Sequence, residues 1–371
     1  MRSTPPSPLQ LDLDLLHDLL DVDRDLGPRH LVRAAREVRG VLTTLVLSLA
    51  AREGLTLGSG SRDELDRMTR RAGTYREIAE RLERVAGARV VKGPSLARHY
   101  PSDLLRPVGD LDVVVPDEAA LWRAVDEVLS RQECDGALYT EIREGDRKHL
   151  FVGLWWAADD PMLDHEPNVE ISTFAFPGEH GLVPVRAALP ADRVGADVLA
   201  LAEERFQRPF TVKDMLDLSL VLTGPAAPDP AALAALADEY RLAPELLQLC
   251  ERTIAAHPVL AACVPGDLVE ELRAPAAAEQ QRRDALPAVA EEPTELPDRI
   301  EAGLPIYGLQ LGESLERRAA TAAEDLPYPG GLIARTPIAD FLMVSGELVD
   351  PDHHQRALAE LARRGPAAPR S

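Results

Sequence analysis

The sequence predicts an α+β fold in which a small mixed β-sheet lies between two helical regions. Apolar residues recur every three or four positions before and after the middle of the chain, which is typical of amphipathic helices. Strand-like segments are concentrated between about residues 87 and 190. Aromatic residues make up only 4% of the 371 residues, and this composition favours helices over aromatic-rich sheets.

The first helical part contains apolar residues that share one helix face: Leu31, Ala35, Val38, Leu42, Leu45 and Leu49. Strands are predicted at 89–92, 111–115, 149–156 and 169–176, with a helix at 118–131. Further helices are predicted at 194–206, 212–222, 230–240 and 244–257. The resulting organisation is a disordered tail (1–10), an N-terminal helical region (11–86), a sheet core (87–190), a helical subdomain (191–273), a charged linker (274–300) and a C-terminal segment packing on the body (301–371). Within the last segment, 304–311 and 331–344 are expected to be short strands or loops.

Composition limits the possible partners. The net charge of -21 argues against bulk binding to DNA or RNA, because a strong acidic excess repels a phosphate backbone. Small phosphorylated ligands stay open, since divalent metals and a few local bases can neutralise phosphates. Three cysteines without CxxC spacing indicate buried thiols in a reducing cytoplasm. We expect no signal peptide and no membrane span, and the oligomeric state is left open.

The stretch that indicates chemistry is Arg106-Pro-Val-Gly-Asp-Leu-Asp-Val-Val-Val115. Side chains alternate between the two faces of a strand, so Asp110 and Asp112 project to one side. Two carboxylates on one strand face repel each other unless a cation is present. Mg²⁺ takes carboxylate and phosphate oxygens together, and two such ions can clamp both oxygens of a phosphoryl displacement. The pattern therefore predicts a site for two Mg²⁺ ions.

A bare Asp-x-Asp is also typical of a solvated strand end, and that interpretation stays open. Its surroundings favour a metal site: a Gly-Pro-Ser turn after an apolar strand, bases at Lys92 and Arg106, and a clean apolar strand after the acids. A further strand, 169–176, carries Glu170. If that strand pairs beside the aspartate strand, Glu170 completes a three-carboxylate cluster. On an edge strand it would be an exposed acid.

These residues resemble a known family. Lys92-Gly93-Pro94-Ser95, Arg106 and Gly109-Asp110-Leu111-Asp112-Val113-Val114-Val115 look like the core of the DNA-polymerase-β-type nucleotidyltransferase superfamily. The similarity covers about residues 30–225 and is most specific over 90–115. Within the superfamily, the chain is most similar to uncharacterised bacterial members with a Lys-Gly … Arg … Asp-Ile/Leu-Asp pattern.

The resemblance implies a nucleotidyltransferase sheet core with a helical subdomain, and transfer of NMP from an NTP such as ATP with release of pyrophosphate. It also implies that Gly93 and Ser95 lie in a phosphate-facing loop and that Asp110 and Asp112 bind metal. Glu170 would be the third carboxylate, which activates the acceptor hydroxyl. Pro94 departs from the usual Gly-Gly or Gly-Ser loop and removes a backbone donor.

Phosphate binding also needs cationic donors. Lys92 and Arg106 precede the acids, and either is expected to meet a β- or γ-phosphate unless it is an ordinary solvated base. Lys213 lies four residues before Asp217 on a predicted helix, on the side opposite the apolar stripe. The resemblance makes Lys213 a phosphate ligand, whereas a surface ion pair with Asp217 is the structural alternative.

The leading hypothesis is a Mg²⁺-dependent nucleotidyltransferase that acts on a hydroxyl or phosphate of a small molecule or a protein. The alternative is a noncatalytic nucleotide- or partner-binding protein on the same fold. A toxin–antitoxin component that modifies a protein or an RNA end is a third hypothesis, which the acidity of the chain disfavours where RNA is concerned.

Overall fold

The computed structural model describes residues 9–38, 42–287, 292–346 and 349–365, and it confirms the predicted α+β class. The helices are α1 (Leu13–Leu19), α2 (Pro28–Glu37), α3 (Leu42–Arg52), α4 (Ser59–Ala86), α5 (Gly93–Ala97), α6 (Glu118–Leu129), α7 (Arg193–Gln207), α8 (Val212–Thr223), α9 (Pro230–Glu239), α10 (Ala243–Ala256), α11 (Pro258–Ala261), α12 (Gly266–Asp284), α13 (Leu296–Glu301) and α14 (Pro351–Arg364). The strands are β1 (Arg89–Val91), β2 (Leu111–Val114), β3 (Gly136–Glu144), β4 (Arg147–Trp155), β5 (Asn168–Ser172), β6 (Ile306–Gln310), β7 (Glu324–Tyr328), β8 (Gly331–Arg335) and β9 (Asp340–Val344).

The chain divides into two compact units, each assembled from separated stretches. The helical unit comprises Met1–Arg76, Val91–Gly109 and Phe176–Pro287. The sheet unit comprises Glu77–Val90, Asp110–Ala175 and Ala288–Ser371. The six consecutive parts expected from the sequence stay a prediction, and most of the expected N-terminal tail lies outside the described residues.

An apolar core in the helical unit joins its first helices. Leu31 on α2 and Leu45 and Leu49 on α3 are fully buried in it, as their spacing predicted. Each such side chain contributes about 1.5–3 kcal/mol when it leaves water. The predicted single helix face is divided, because α2 ends at Glu37 and α3 begins at Leu42. Two shorter helices therefore present the apolar stripe that the sequence suggested for one.

The sheet unit contains a mixed sheet in the order β1-β2-β5-β4-β3-β6-β9-β8-β7. Strands β2 and β5 are parallel, whereas β5 with β4, β4 with β3, and β3 with β6 are antiparallel. Helix α6 begins where Asp117 caps it, since the Asp117 carboxylate accepts a hydrogen bond from the N–H of Ala120 at 2.7 Å. The four strands predicted from the sequence are all present.

Strand β3 was not predicted, although it pairs with β4 along all nine of its residues. Its pattern is hidden because Glu141 is fully buried and breaks the expected alternation. The Tyr139 hydroxyl and the Arg143 guanidinium donate to the Glu141 carboxylate at 2.6 and 2.8 Å. A buried acid with such partners is stable inside a sheet, but a single sequence does not reveal the partners.

The first part of the expected linker at 274–300 is helical, because α12 continues to Asp284 with Pro275 inside it. Alanine, glutamate and arginine support a helix as readily as a linker, and composition alone does not separate the two. Residues 304–311 and 331–344 contribute strands β6, β8 and β9, which continue the sheet. Strand β7 was missed because Glu-Asp-Leu-Pro-Tyr contains proline, which sheets tolerate at an edge.

The three cysteines are free, with Cys250 and Cys263 buried and Cys134 half-buried. Burial raises the pKa of the Cys250 thiol to about 12, so this thiol stays protonated near neutral pH. The predicted cytoplasmic location stays a prediction. No helix in the part of the chain that the structure describes has the length and apolar character needed to span a bilayer.

Candidate active site

The register of β2 and β5 brings two of the predicted acids together. In this parallel pair Asp112 is the direct partner of Glu170. Directly paired residues on neighbouring strands point to the same face, and such strands lie about 4.8 Å apart. Leu111 and Val169, the preceding pair, are fully buried on the opposite face. Asp112 and Glu170 are therefore held side by side, half-buried, on the face away from that core.

Asp110 lies one residue before β2 and is exposed. It is two residues from Asp112, so the strand alternation that continues from β2 directs it to the same side. Just before it, the carbonyl of Gly109 accepts a hydrogen bond from the Tyr75 hydroxyl at 3.0 Å within the helical unit. Beside Glu170, the amide of Asn168 donates to a carboxylate oxygen at a long 3.4 Å.

The three acids do not form a closed cluster. Among the described residues, no group of three or more His, Cys, Asp or Glu side chains is arranged to hold a metal ion. The donor chemistry nevertheless fits Mg²⁺, which prefers carboxylate oxygens and commonly keeps waters and substrate phosphates as its remaining ligands. Two of the three predicted ligands are adjacent in register, and the third lies at the exposed start of the same strand.

A row of sheet positions continues from the acid pair. The partner of Glu170 on β4 is Gly153, and the partner of Gly153 on β3 is Leu138. Gly153 brings no side chain to the face that carries Glu170. Leu138 is 41% exposed, and Tyr307 and Leu309 of β6 are 37% and 40% exposed. An apolar surface on the open sheet face thus continues the row that holds the two acids, and the sequence pattern did not indicate it.

The predicted phosphate loop follows strand β1, and the loop itself belongs to the helical unit. Lys92 has φ 53° and ψ -134°, a region that side chains rarely occupy and that costs about 1–3 kcal/mol. Pro94 lies in the first turn of α5, where its missing N–H has no intrahelical partner to lose. Ser95 is buried, and its hydroxyl oxygen accepts from the Arg98 guanidinium at 2.6 Å. The loop is therefore a strained but well-supported turn from strand to helix.

Helix α7 supports this loop at both ends. Asp197 and Glu204 are seven residues apart on α7, which puts them on one face two turns apart. The Lys92 ammonium pairs with Glu204 before α5, and the Arg98 guanidinium donates to Asp197 at 2.7 Å after it. Asp197 is almost fully buried. Sequence reasoning missed these two acids, since their partners lie about a hundred residues away along the chain.

Arg106 is buried, and its guanidinium donates to several acceptors of the protein. Its Nε and Nη2 donate to the two oxygens of Asp217 at 2.8 and 2.7 Å, a bidentate pair. Its Nη1 donates to the carbonyl oxygens of Gly93 and Pro107, both at 3.1 Å. The guanidinium thus ties the phosphate loop to helix α8. The expected contact of Arg106 with a phosphate stays a prediction.

Asp217, the partner of Arg106, is also in contact with Tyr100 and Lys213. It is almost fully buried, and the Tyr100 hydroxyl donates to it at 2.8 Å. The Lys213 ammonium lies 3.3 Å from its Oδ2. Burial alone would raise the pKa of Asp217, but the charges of Arg106 and Lys213 and the hydrogen bonds from Arg106 and Tyr100 outweigh it and lower that pKa far below its ordinary range. The predicted Lys213–Asp217 pair is present, and it belongs to a buried network rather than to the surface.

The mixed sheet and its surrounding helices are consistent with the nucleotidyltransferase fold. A model of the family described as "Uncharacterised nucleotidyltransferase" matches residues 57–255, slightly more than half of the chain. The chain therefore belongs to this nucleotidyltransferase family. No curated protein matches the sequence.

Two solved structures from Helicobacter pylori are similar to parts of the chain. The protein JHP933 is 13% identical, with a TM-score of 0.32, over 62% of this chain and 97% of its own. A second structure, described as a candidate nucleotidyltransferase, is 14% identical, with a TM-score of 0.30, over 62% of this chain and 98% of its own. Structural agreement at this level adds nothing to the family assignment.

Proposed function

We propose that this protein is a Mg²⁺-dependent enzyme that transfers NMP from an NTP to a hydroxyl or phosphate of a small molecule or a protein, with release of pyrophosphate. The observation that carries the proposal is the in-register pairing of Asp112 with Glu170 on the open face of the sheet. Membership of a nucleotidyltransferase family supports it. Within that class we assign the chain to the branch with the Lys-Gly … Arg … Asp-Leu-Asp pattern.

Asp110, Asp112 and Glu170 would hold the metal ions. Bound Mg²⁺ would neutralise these carboxylates and the substrate phosphates and stabilise charge on the oxygens of the displacement. Carboxylates that lie side by side repel each other when no cation is bound. We therefore expect a bound cation to stabilise the folded protein. The exposed position of Asp110 leaves it able to turn toward Asp112 when a cation binds.

Glu170 is the proposed base. Its carboxylate would accept the proton of the acceptor hydroxyl while the acceptor oxygen bonds to the α-phosphorus. The bond from the α-phosphorus to the bridging oxygen breaks in the same displacement, and pyrophosphate leaves. For a phosphate acceptor no proton transfer is needed. The exposed surface formed by Leu138, Tyr307 and Leu309 favours an acceptor with an apolar portion.

The loop residues have two different proposed roles. Gly93 and Ser95 would offer backbone N–H groups and one hydroxyl hydrogen to the triphosphate, since the Ser95 oxygen already accepts from Arg98. Lys92 and Lys213 remain proposed phosphate ligands that would exchange Glu204 and Asp217 for a more highly charged partner. Arg106 also stays a proposed phosphate ligand, and its contact with the Gly93 carbonyl would in addition hold the loop in position.

Calorimetric titration of ATP, GTP, CTP and UTP, with and without Mg²⁺, tests the proposal. We expect one NTP to bind in a metal-dependent manner to the wild type and at least about tenfold more weakly to Asp112→Asn. Asp103→Asn replaces an exposed acid of the helical unit and serves as the matched control. Equal binding to all three proteins would contradict the metal assignment. The binding NTP, labelled at its α-phosphate, then reports transfer to candidate acceptors.

A noncatalytic nucleotide-binding role is the second candidate. It is favoured by the absence of a preformed three-carboxylate group among the described residues. Metal-dependent NTP binding without transfer of label or release of pyrophosphate, across hydroxyl-bearing and phosphate-bearing acceptors, would favour this candidate over the enzyme.

A further inference from the structure

The helical unit contains a cleft of about 700 Å³ between α2, α3 and the start of α4. We call it the arginine cleft, and its four basic side chains all come from α2: Arg29, His30, Arg33 and Arg36. Its volume falls within the range of about 300–1,000 Å³ that is usual for small-molecule sites. All its lining residues belong to one stretch of the helical unit.

The charge of the arginine cleft opposes that of the whole protein. None of its lining residues is an acid, although the chain has 62 acidic residues and a net charge of -21. Arg29, Arg33 and Arg36 are spaced i, i+4 and i+7, so they form one stripe along α2. The opposite side of α2 carries Leu31 and Ala35, both fully buried. The buried face thus orients the helix so that its basic stripe borders the cleft.

Nearby acids neutralise this stripe only in part. Arg36 pairs with Glu64 at 2.8 Å, whereas Arg33 is 3.6 Å from Glu37 and both of those side chains are largely exposed. Exposed pairs of this kind are worth about 0–1 kcal/mol and exchange readily with other anions. Arg29 has no hydrogen-bond or ion-pair partner among the described residues. A net positive charge therefore remains on the rim.

The start of α4 adds a second source of positive potential. Gly58 and Ser61 line the arginine cleft, and α4 is a helix of 28 residues. The first turn of α4 contains no acidic residue, so its unpaired N–H groups and the positive end of its dipole are not offset there. Helix N-termini bind anions by these two effects.

The remaining lining of the arginine cleft is apolar. Val32 of α2 and Leu57 of the loop after α3 are partly exposed, and Leu55 is 43% exposed at the edge of the cleft, whereas Val46, Leu47 and Ala50 of α3 form its buried floor. An inorganic anion would gain nothing from contact with the apolar lining. An uncharged apolar molecule would gain nothing from contact with the basic rim. We propose that the arginine cleft binds a soluble amphiphilic anion, a phosphate or carboxylate carried on an apolar chain or ring. This site does not depend on the proposed nucleotidyl transfer.

Octyl phosphate is a suitable probe, with inorganic phosphate and octyltrimethylammonium as comparisons that lack the chain or the negative charge. Titration calorimetry in EDTA excludes binding through Mg²⁺. We expect octyl phosphate to bind at least about tenfold more tightly than either comparison. Arg33→Gln/Arg36→Gln should weaken it by at least about tenfold, whereas Arg273→Gln, an exposed arginine on α12, should leave it unchanged.

Ser61→Glu is expected to change the stability of the protein and its affinity for octyl phosphate in opposite directions, so a loss of binding would not be due to unfolding. A glutamate in the first turn stabilises α4 through the helix dipole but repels an anion in the arginine cleft. We expect a higher melting temperature together with weaker octyl phosphate binding. Asp112→Asn should bind octyl phosphate like the wild type, so this site and the proposed catalytic site fail independently. Equal affinity for inorganic phosphate, equal affinity in Arg33→Gln/Arg36→Gln, or binding only to phosphatidic acid vesicles would overturn the proposal.

Discussion

Acidic side chains in the two units are held in opposite ways. In the sheet unit, Asp112 and Glu170 stand side by side on adjacent strands and keep part of their surface in solvent. In the helical unit, Asp217 is sealed from solvent and receives hydrogen bonds from Arg106 and Tyr100. The same functional group thus lies beside a like charge in one unit and inside a neutralised network in the other.

The difference indicates different roles for the two sets. Asp217 is a buried acid whose pKa is lowered by the charged side chains of Arg106 and Lys213. Such an acid stabilises the fold and is ill suited to exchange its partners for a ligand. The two half-buried acids in register lie where a bound cation would offset the repulsion between like charges. We therefore expect replacement of Asp112 to affect activity and replacement of Asp217 to affect stability.

Asp112→Asn should produce the largest effect. We expect transfer from an α-labelled NTP to fall at least about a thousand-fold, because the metal-binding pair loses one charge. The free energy of unfolding should change by less than about 1 kcal/mol, since the shape is kept and one of two repelling charges disappears. Transfer assays and urea denaturation measure these two quantities, with Asp103→Asn as the control. Activity retained in Asp112→Asn would contradict the catalytic role of Asp112 on which the comparison of the two units depends.

Asp217→Ala should lower the free energy of unfolding by about 3–5 kcal/mol, because it leaves the Arg106 guanidinium buried without its counter-charge. Urea denaturation at neutral pH checks this value. Lys213→Met removes only the outer partner of the network, which is half-buried, and should cost less than about 1 kcal/mol. Similar losses of unfolding free energy in the two variants would contradict the assignment of Asp217 as the main counter-charge of Arg106.

The pH dependence of stability should also distinguish wild type from Asp217→Ala. The lowered pKa of Asp217 means that its charged form is favoured by folding, so its contribution is complete above the ordinary value of 3.8 and declines as pH falls below it. The difference in unfolding free energy between the two proteins should be constant from pH 7 to about pH 5 and shrink towards pH 3. A difference that grows on acidification would contradict this assignment.

A further prediction concerns the strained turn at Lys92. Lys92→Gly and Lys92→Ala both lose the ion pair with Glu204, but only glycine adopts φ 53° and ψ -134° without strain. Lys92→Gly should therefore be more stable than Lys92→Ala by about 1 kcal/mol or more in urea denaturation. Equal stabilities would indicate that the turn relaxes when the side chain is removed.

Local sequence patterns predicted much of the fold. The stripe on 118–131 gave α6 at Glu118–Leu129, and the apolar alternation after Asp110 gave β2 at Leu111–Val114. Failures occurred where a polar residue is satisfied from elsewhere in the chain. The buried Glu141 hid β3 in this way. The end of α12 went unrecognised for another reason, since its alanine-rich composition suits a helix and a linker alike.

The sequence by itself indicated that Asp110 and Asp112 share a strand face and that Lys213 and Asp217 share a helix face, because strand and helix periodicity decide which near neighbours share a side. Only the tertiary structure decided that Glu170 lies beside Asp112 and that Arg106 is occupied by Asp217. Both pairings join residues far apart in the chain, 111 positions in the case of Arg106. Strand order and burial, which no local pattern encodes, set such contacts.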